Sequence, residues 1–223
     1  MITIVYHITR EFIPLTLESI ESVNRFKRSD VEIKFIVIGD VDPRQDGNIH
    51  YIHYMQPETP LMHQRVQLPE VLSSVDRFIY LDSDTTVQTC ISKLWSTELN
   101  GNIIGAAPHM VLESLPSALE FFEIKPMVGC DDDMFFNAGV MLVDCVSWRK
   151  NKITQHFFDY INKYKNVGSY MRNEPGLNVV LLKRWLHLDV LWNYRPALNK
   201  YKLCYILHPY GLPANKKPRH YAF

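Results

Sequence analysis

Short apolar runs recur along this chain, each followed by turn residues or by a stretch with helical spacing. Residues 2–6, 32–38, 49–54, 78–81, 103–107 and 138–143 are rich in Ile, Val, Leu, Phe and Tyr, and their length predicts buried strands. Between the first two, residues 14–26 place Leu17, Ile20 and Phe26 at spacings compatible with one helical face. Pro14 falls in the first turn there, where its missing N–H costs nothing. Further helices are predicted over 61–73, over 153–164 with Ile153, Phe157, Phe158 and Ile161 as its core stripe, and over 177–185. The polar clusters 39–43 and 45–48 read as turns. Residues 110–134 are the least periodic stretch and read as a loop, either mobile or facing a second substrate. Strands alternating with helices imply an α/β fold with a mainly parallel central sheet flanked by helices on both sides.

Composition narrows this picture. With 223 residues, 47% hydrophobic and 22% charged, the chain fits one large globular domain. Lys plus Arg equals Asp plus Glu at 24 each, so no basic excess advertises a nucleic-acid surface. The apolar runs fall well short of the roughly 20 residues that span a bilayer, and the N-terminus has neither a basic n-region nor a cleavage site. The expectation is an intracellular, cytoplasmic chain. Four cysteines, Cys90, Cys130, Cys145 and Cys204, lie far apart without a C-x-x-C pair, which fits reduced core thiols better than zinc or disulfides.

The most telling chemistry lies at the end of the fourth apolar run, where Tyr80-Leu81 is followed by Asp82-Ser83-Asp84. Alternation along an extended segment puts Asp82 and Asp84 on one face, and hard carboxylate oxygens suit Mg²⁺ or Mn²⁺. Asp is also a common turn residue, so the same pair could simply punctuate a strand end. The P-loop, the dinucleotide fingerprint and the His-Glu-x-x-His motif are absent, and only 9 glycines are available for backbone phosphate cradles; a metal is therefore the better candidate to hold phosphate. A third ligand and cationic partners are offered by His208-Pro209-Tyr210-Gly211 with Lys216 and Lys217. Asn137-Ala138-Gly139 places small residues where a ligand could approach the backbone. Asn173-Glu174-Pro175 supplies an amide and a carboxylate at a helix start. The run 131–133 of three aspartates reads as a solvated loop.

Taken in order, these segments resemble the family 8 glycosyltransferases, retaining enzymes that include glycogenin and bacterial lipopolysaccharide galactosyl- and glucosyltransferases. The resemblance runs from the first strand through Arg65, Tyr80-Leu81-Asp82-Ser83-Asp84, Leu94-Trp95, Phe136-Asn137-Ala138-Gly139-Val140, Trp148-Arg149, Glu174-Pro175-Gly176-Leu177-Asn178, Trp192-Asn193 and His208-Pro209-Tyr210-Gly211 to Lys217-Pro218. It implies a GT-A fold in a single domain, with residues 1–107 mainly binding nucleotide-sugar and 108–223 mainly on the acceptor side. It also implies a UDP-sugar donor, Mn²⁺ or Mg²⁺ as cofactor, a glycan, glycolipid or glycoprotein acceptor, and peripheral membrane association without a spanning segment.

By the same resemblance Asp82, Asp84 and His208 would hold the metal. Lys217 or Lys216, with Gly211, would steady the leaving phosphate. Phe12, with Thr9 beside it, would take the base, while Arg65, Asn137 and Ala138 would contact the donor sugar and Asn173 and Glu174 would lie beneath the anomeric carbon. The chain departs from the pattern at Thr9 and Glu11, where the family has acidic and amide residues, at His109, where an Asp is common, and at Glu174, which is often Gln. Two other classes remain open on the residues: a haloacid dehalogenase-type phosphatase using Asp82 as nucleophile, and a non-catalytic nucleotide-sugar-binding module.

Overall fold

The computed structural model describes residues 1–110, 133–164, 173–195 and 203–209. The expected 110–134 loop lies almost wholly outside them, as do Asp131, Asp132, Gly211, Lys216 and Lys217. Among the described residues, eight strands form one sheet in the order β3-β4-β2-β1-β5-β8-β7-β9. They are β1 (Ile2–Ile8), β2 (Ile33–Gly39), β3 (Arg44–Asp46), β4 (Ile49–His53), β5 (Arg77–Leu81), β7 (Ile104–Pro108), β8 (Phe136–Asp144) and β9 (Trp185–His187). A separate antiparallel pair joins β6 (Thr86–Val87) to β10 (Ile206–Leu207). The sheet is mixed: β1 runs parallel to β2 and β5, and β2 to β4, whereas β8 runs antiparallel to both β5 and β7.

The two faces of this sheet carry separate cores. Ile2, Ile4, Tyr6 and Ile8 of β1 pack with Ile20 and Val23 of the Ile13–Arg25 helix on one side. Val5, Ile36, Ile38, Phe78 and Tyr80 pack on the other with Val66, Leu68, Trp148, Phe157 and Leu177. Strands covered on both faces read as continuous apolar runs rather than alternating ones, and this is why they stand out in the sequence. Each such buried aliphatic or aromatic side chain contributes roughly 1.5–3 kcal/mol. Cys145 and Cys204 are buried and Cys90 is half-buried, all three as free thiols.

Four expectations are corrected. Residues 61–73 do not form one helix but two short ones, Leu61–Gln64 and Leu68–Val71, joined by a 3-10 turn at Arg65–Gln67. Pro69 has no N–H to return to the Arg65 carbonyl, which instead accepts from Leu68 in a tighter turn. Gln45 and Asp46, read as part of a polar turn, form with Arg44 the exposed edge strand β3. The chain reverses at Gly47 (φ 59°), and Arg44 lies 3.6 Å over the Tyr51 ring. The helix expected over 177–185 starts earlier and ends sooner, at Asn173–Val180; a turn with Lys183 at φ 57° then leads into β9. The fourth concerns the first helix, where Leu17 and Phe26 are 40% and 41% exposed and the sheet side is Thr16, Ser19, Ile20, Ser22 and Val23.

The hydroxyls on that face have partners. Ser19 Oγ lies 3.0 Å from Tyr6 Oη and 3.1 Å from Thr85 Oγ1, Thr16 donates to Ser83 Oγ (3.1 Å), and Ser22 Oγ accepts from the Val87 N–H (2.8 Å). About two turns of helix, from Thr16 to Ser22, thus hold the segment 83–87 by its polar groups.

Candidate metal and donor site

Asp82 follows the last residue of β5, its N–H bonded to the Gly139 carbonyl of β8 (2.8 Å). Its own carbonyl accepts from the N–H and the hydroxyl of Thr85 (3.1 and 2.8 Å), which closes a turn over Ser83 and Asp84. The Asp82 carboxylate is used from both sides. Oδ1 accepts from Tyr80 Oη (2.9 Å) and from Arg65 (3.1 Å), leaving Oδ2 turned toward His208 Nε2 at 3.7 Å. Burial works against charge on Arg65, but Tyr80, Asp82 and then Glu174 outweigh it and hold its pKa above the ordinary value. Burial first, and Asp82 second, raise that of Tyr80, so its hydroxyl stays protonated and donates.

His208 arrives from far along the chain. It follows β10, whose residues pair with β6, and its N–H bonds the Tyr194 carbonyl (2.9 Å). Its Nε2 lies 3.2 Å from Asp84 Oδ1, and one ligand atom from each of Asp82, Asp84 and His208 lies within 4.8 Å of the other two. Two carboxylates and an imidazole make a donor set suited to Mn²⁺, and to Mg²⁺ where oxygen ligands dominate. Gly139 makes the approach possible. A Cβ at that position would stand 2.3 Å from His208 Cε1 and 2.8 Å from Asp82 Oδ2. The absence of a side chain at Gly139 thus makes room for the imidazole of His208 and the carboxylate of Asp82.

From Asp82 the site continues through β8 to the Asn173–Val180 helix. Asn178 brackets Phe136, accepting from its N–H (2.8 Å) and donating to its carbonyl (3.0 Å), which seats the helix on the strand. One turn earlier, Glu174 Oε1 accepts from Asn137 Nδ2 (2.8 Å) and from the Ala138 N–H (2.9 Å). Burial raises the Glu174 pKa although Ala138, Arg195 and Arg65 oppose it. Asn173 begins this helix. Elsewhere, His109 Nε2 lies 3.4 Å from Arg195, and burial, then Arg195 and His208, push the imidazole down to about 4.

The remaining expected residues line a cleft with two lobes that share His7, Leu61 and Asp82. One lobe, of about 320 Å³, adds Met62, Arg65 and Tyr80; the other, of about 220 Å³, adds Ile8, Thr9, Phe12, Leu15, Ser83 and Asp84. The fold therefore brings Thr9, Phe12, Arg65, Asp82 and Asp84 to one cleft, with Asn137, Ala138 and Glu174 linked to it through Gly139 and His208. Sequence reading missed His7, whose buried Nε2 has no hydrogen-bond partner among the described residues. Burial and then Arg65 push it down to about 4, so it faces the cleft as a neutral imidazole. Tyr80 and Asn193 carry no role legible from their motifs alone; a polar side chain inside an apolar segment is the available signal.

Known proteins resemble this arrangement at several levels. The profile of glycosyl transferase family 8 matches residues 4–210. General stress protein A of Bacillus subtilis (strain 168) is 30% identical over 138 residues, 60% of this chain and 46% of that protein. The probable galacturonosyltransferase-like 4 of Arabidopsis thaliana is 34% identical over 118 residues, 51% of this chain and 34% of that protein. The chain thus spans less than half the length of these curated relatives. Among solved structures, the galactosyltransferase LgtC in complex with donor and acceptor sugar analogs superposes with a TM-score of 0.75 at 20% identity, covering 94% of this chain and 87% of LgtC. That likeness carries the GT-A fold. No helix among the described residues is long and apolar enough to cross a membrane.

Proposed function

The chain belongs to glycosyl transferase family 8, and from that premise we propose that it transfers a hexose, glucose or galactose, from a UDP-sugar to a hydroxyl of a glycan, glycolipid or glycoprotein, with retention of anomeric configuration. The observation that carries this reading is the convergence of Asp82, Asp84 and His208 from distant segments on a point beside the cleft. Bound there, Mn²⁺ or Mg²⁺ would supply Lewis-acid neutralisation of the charge that develops on the departing diphosphate. The chain's own residues do the rest. Asp82 and Asp84 present oxygens, Arg65 adds a fixed positive charge at the cleft wall, and Phe12 offers a half-exposed ring to the base beside Thr9. Asn137, Ala138 and Arg65 orient the donor sugar, with Asn173 and Glu174 beneath its anomeric carbon. Gly211 and Lys216 or Lys217 steady the leaving phosphate. Residues 1–107 serve the nucleotide-sugar and 108–223 the acceptor, in one cytoplasmic domain that associates peripherally with membranes.

A phosphatase using Asp82 as nucleophile fits poorly, because Oδ1 of that carboxylate is occupied by Arg65 and Tyr80. The test is a donor screen by calorimetry and UDP release across UDP-glucose, UDP-galactose, their N-acetyl forms and GDP-mannose, with and without Mn²⁺. One UDP-sugar should bind and hydrolyse slowly in a metal-dependent way, and Asp84→Ala should abolish that turnover in a folded protein. Binding without turnover would favour a non-catalytic module. Phosphatase activity on small esters with no donor bound would overturn the proposal.

A further inference from the structure

A histidine ligates a metal through one ring nitrogen only when the other holds the proton, so whatever fixes the proton fixes the ligand. We propose that Asn193 is the positioning residue that does so for His208, an inference that rests on reading Asp82, Asp84 and His208 as a metal site. The direction of every hydrogen bond in the chain of contacts follows from one backbone group. The Gly139 N–H lies 3.0 Å from an atom of the Asn137 amide, and since a backbone N–H can only donate, that atom is the oxygen. The Asn193 atom 2.7 Å from the same oxygen must then be its amino nitrogen. The other end of the Asn193 amide, 2.8 Å from His208 Nδ1, is therefore the carbonyl oxygen, and it can only accept. Nδ1 carries a proton, so when the ring binds a metal the lone pair available is that of Nε2, the nitrogen that faces Asp84.

The reverse arrangement is blocked by burial. Asn193 and Asn137 are 1% and 4% exposed, so a flipped Asn193 amide would set two carbonyl oxygens 2.7 Å apart with no water to compensate. The far end is pinned as well, because Asn137 Nδ2 donates to Glu174 Oε1. The donors run one way, from the imidazole through two amides to the half-buried carboxyl group of Glu174. A ligand at Nε2 makes Nδ1–H a stronger donor, and a chain polarised in one direction passes that strengthening along.

The experiment is titration of the protein with MnCl₂ alone, reading free Mn²⁺ by electron paramagnetic resonance, for wild type, Asn193→Ala, His208→Ala and the double variant. Loss of a residue that orients a metal-bound histidine costs about 10- to 100-fold in metal affinity, and that loss is expected for N193A. In the H208A background the same substitution should change nothing, because Asn193 acts through the ring. Equal affinity of N193A and wild type would overturn the inference while leaving the metal site standing, as would an equal weakening in both backgrounds, which marks a merely structural role. Absence of Mn²⁺ binding by wild type would instead remove the metal site itself. If N193A does not fold, ¹⁵N-histidine correlation spectra of the wild-type protein at alkaline pH, with H208A identifying the resonance, decide the point. An Nδ1-protonated ring is expected, and an Nε2-protonated ring overturns the assignment.

Discussion

Replacing Gly139 with Ala tests the site through a single methyl group. The added Cβ would lie 2.3 Å from His208 Cε1, 2.7 Å from Nδ1 and 2.8 Å from Asp82 Oδ2, so the ring must retreat by about 1 Å to reach the 3.4 Å of ordinary contact. His208 is 5% exposed and tied at Nδ1 to Asn193, so it has no easy retreat. Overpacking of this kind costs about 1–3 kcal/mol, and at about 2–4 °C per kcal/mol for a domain of this size the melting temperature should fall by roughly 2–12 °C. Metal ligands tolerate displacements of only about 0.2 Å, so Mn²⁺ affinity should fall by an order of magnitude or more even in the folded fraction. Gly105→Ala is the matched control, since the nearest neighbours of its Cβ would be the Leu99 and Leu188 side chains, at 3.1 and 3.3 Å. The assay is a melting curve together with Mn²⁺ titration for both variants. Wild-type Mn²⁺ affinity in G139A would refute the reasoning, as would equal loss of affinity in G105A.

Two further outcomes follow from the geometry. Glu174→Gln keeps an acceptor for Asn137 and Ala138 but removes a half-buried carboxyl whose pKa is raised above the ordinary 4.5. The folded wild type therefore holds its proton more tightly than the unfolded chain and loses stability as pH rises through the window that begins near 4.5. Melting of E174Q relative to wild type should match below that pH and exceed it increasingly above; a pH-independent difference would contradict this. Ser22→Ala strips the acceptor from the buried Val87 N–H and should cost about 1–3 kcal/mol, measured by urea denaturation, with no loss expected if water replaces the hydroxyl.

The parts of the fold visible in the sequence are those where both faces of a strand meet apolar partners. β1, β2, β5 and β8 are near-continuous hydrophobic runs because each is covered on two sides. β3 was hidden because Arg44, Gln45 and Asp46 are all exposed, and pairing with β4 alone gives them strand geometry. The first helix misled in the opposite direction: Leu17 and Phe26 suggested a face, but Thr16, Ser19 and Ser22 are the residues with partners on the 83–87 segment. Hydroxyls that bury by bonding to a loop leave no periodic apolar trace. The three candidate ligands could be nominated from Asp82-x-Asp84 and from the segment around His208, which the ordered resemblance joined to them. The amide chain through Asn193 and Asn137 could not, because its meaning lies in contacts between segments far apart in the chain.

The pairing of Ile206 and Leu207 with Val87 and Thr86 also sets an order of events during synthesis. Both aspartates and the strand that aims them leave the ribosome long before residues 206–208, so a nascent chain first presents only two neighbouring carboxylates at a strand end. Long-range contacts of this kind close late, after the loop-closure entropy of the intervening chain has been met. The cluster of Asp82, Asp84 and His208 therefore cannot assemble until β10 has emerged and paired with β6.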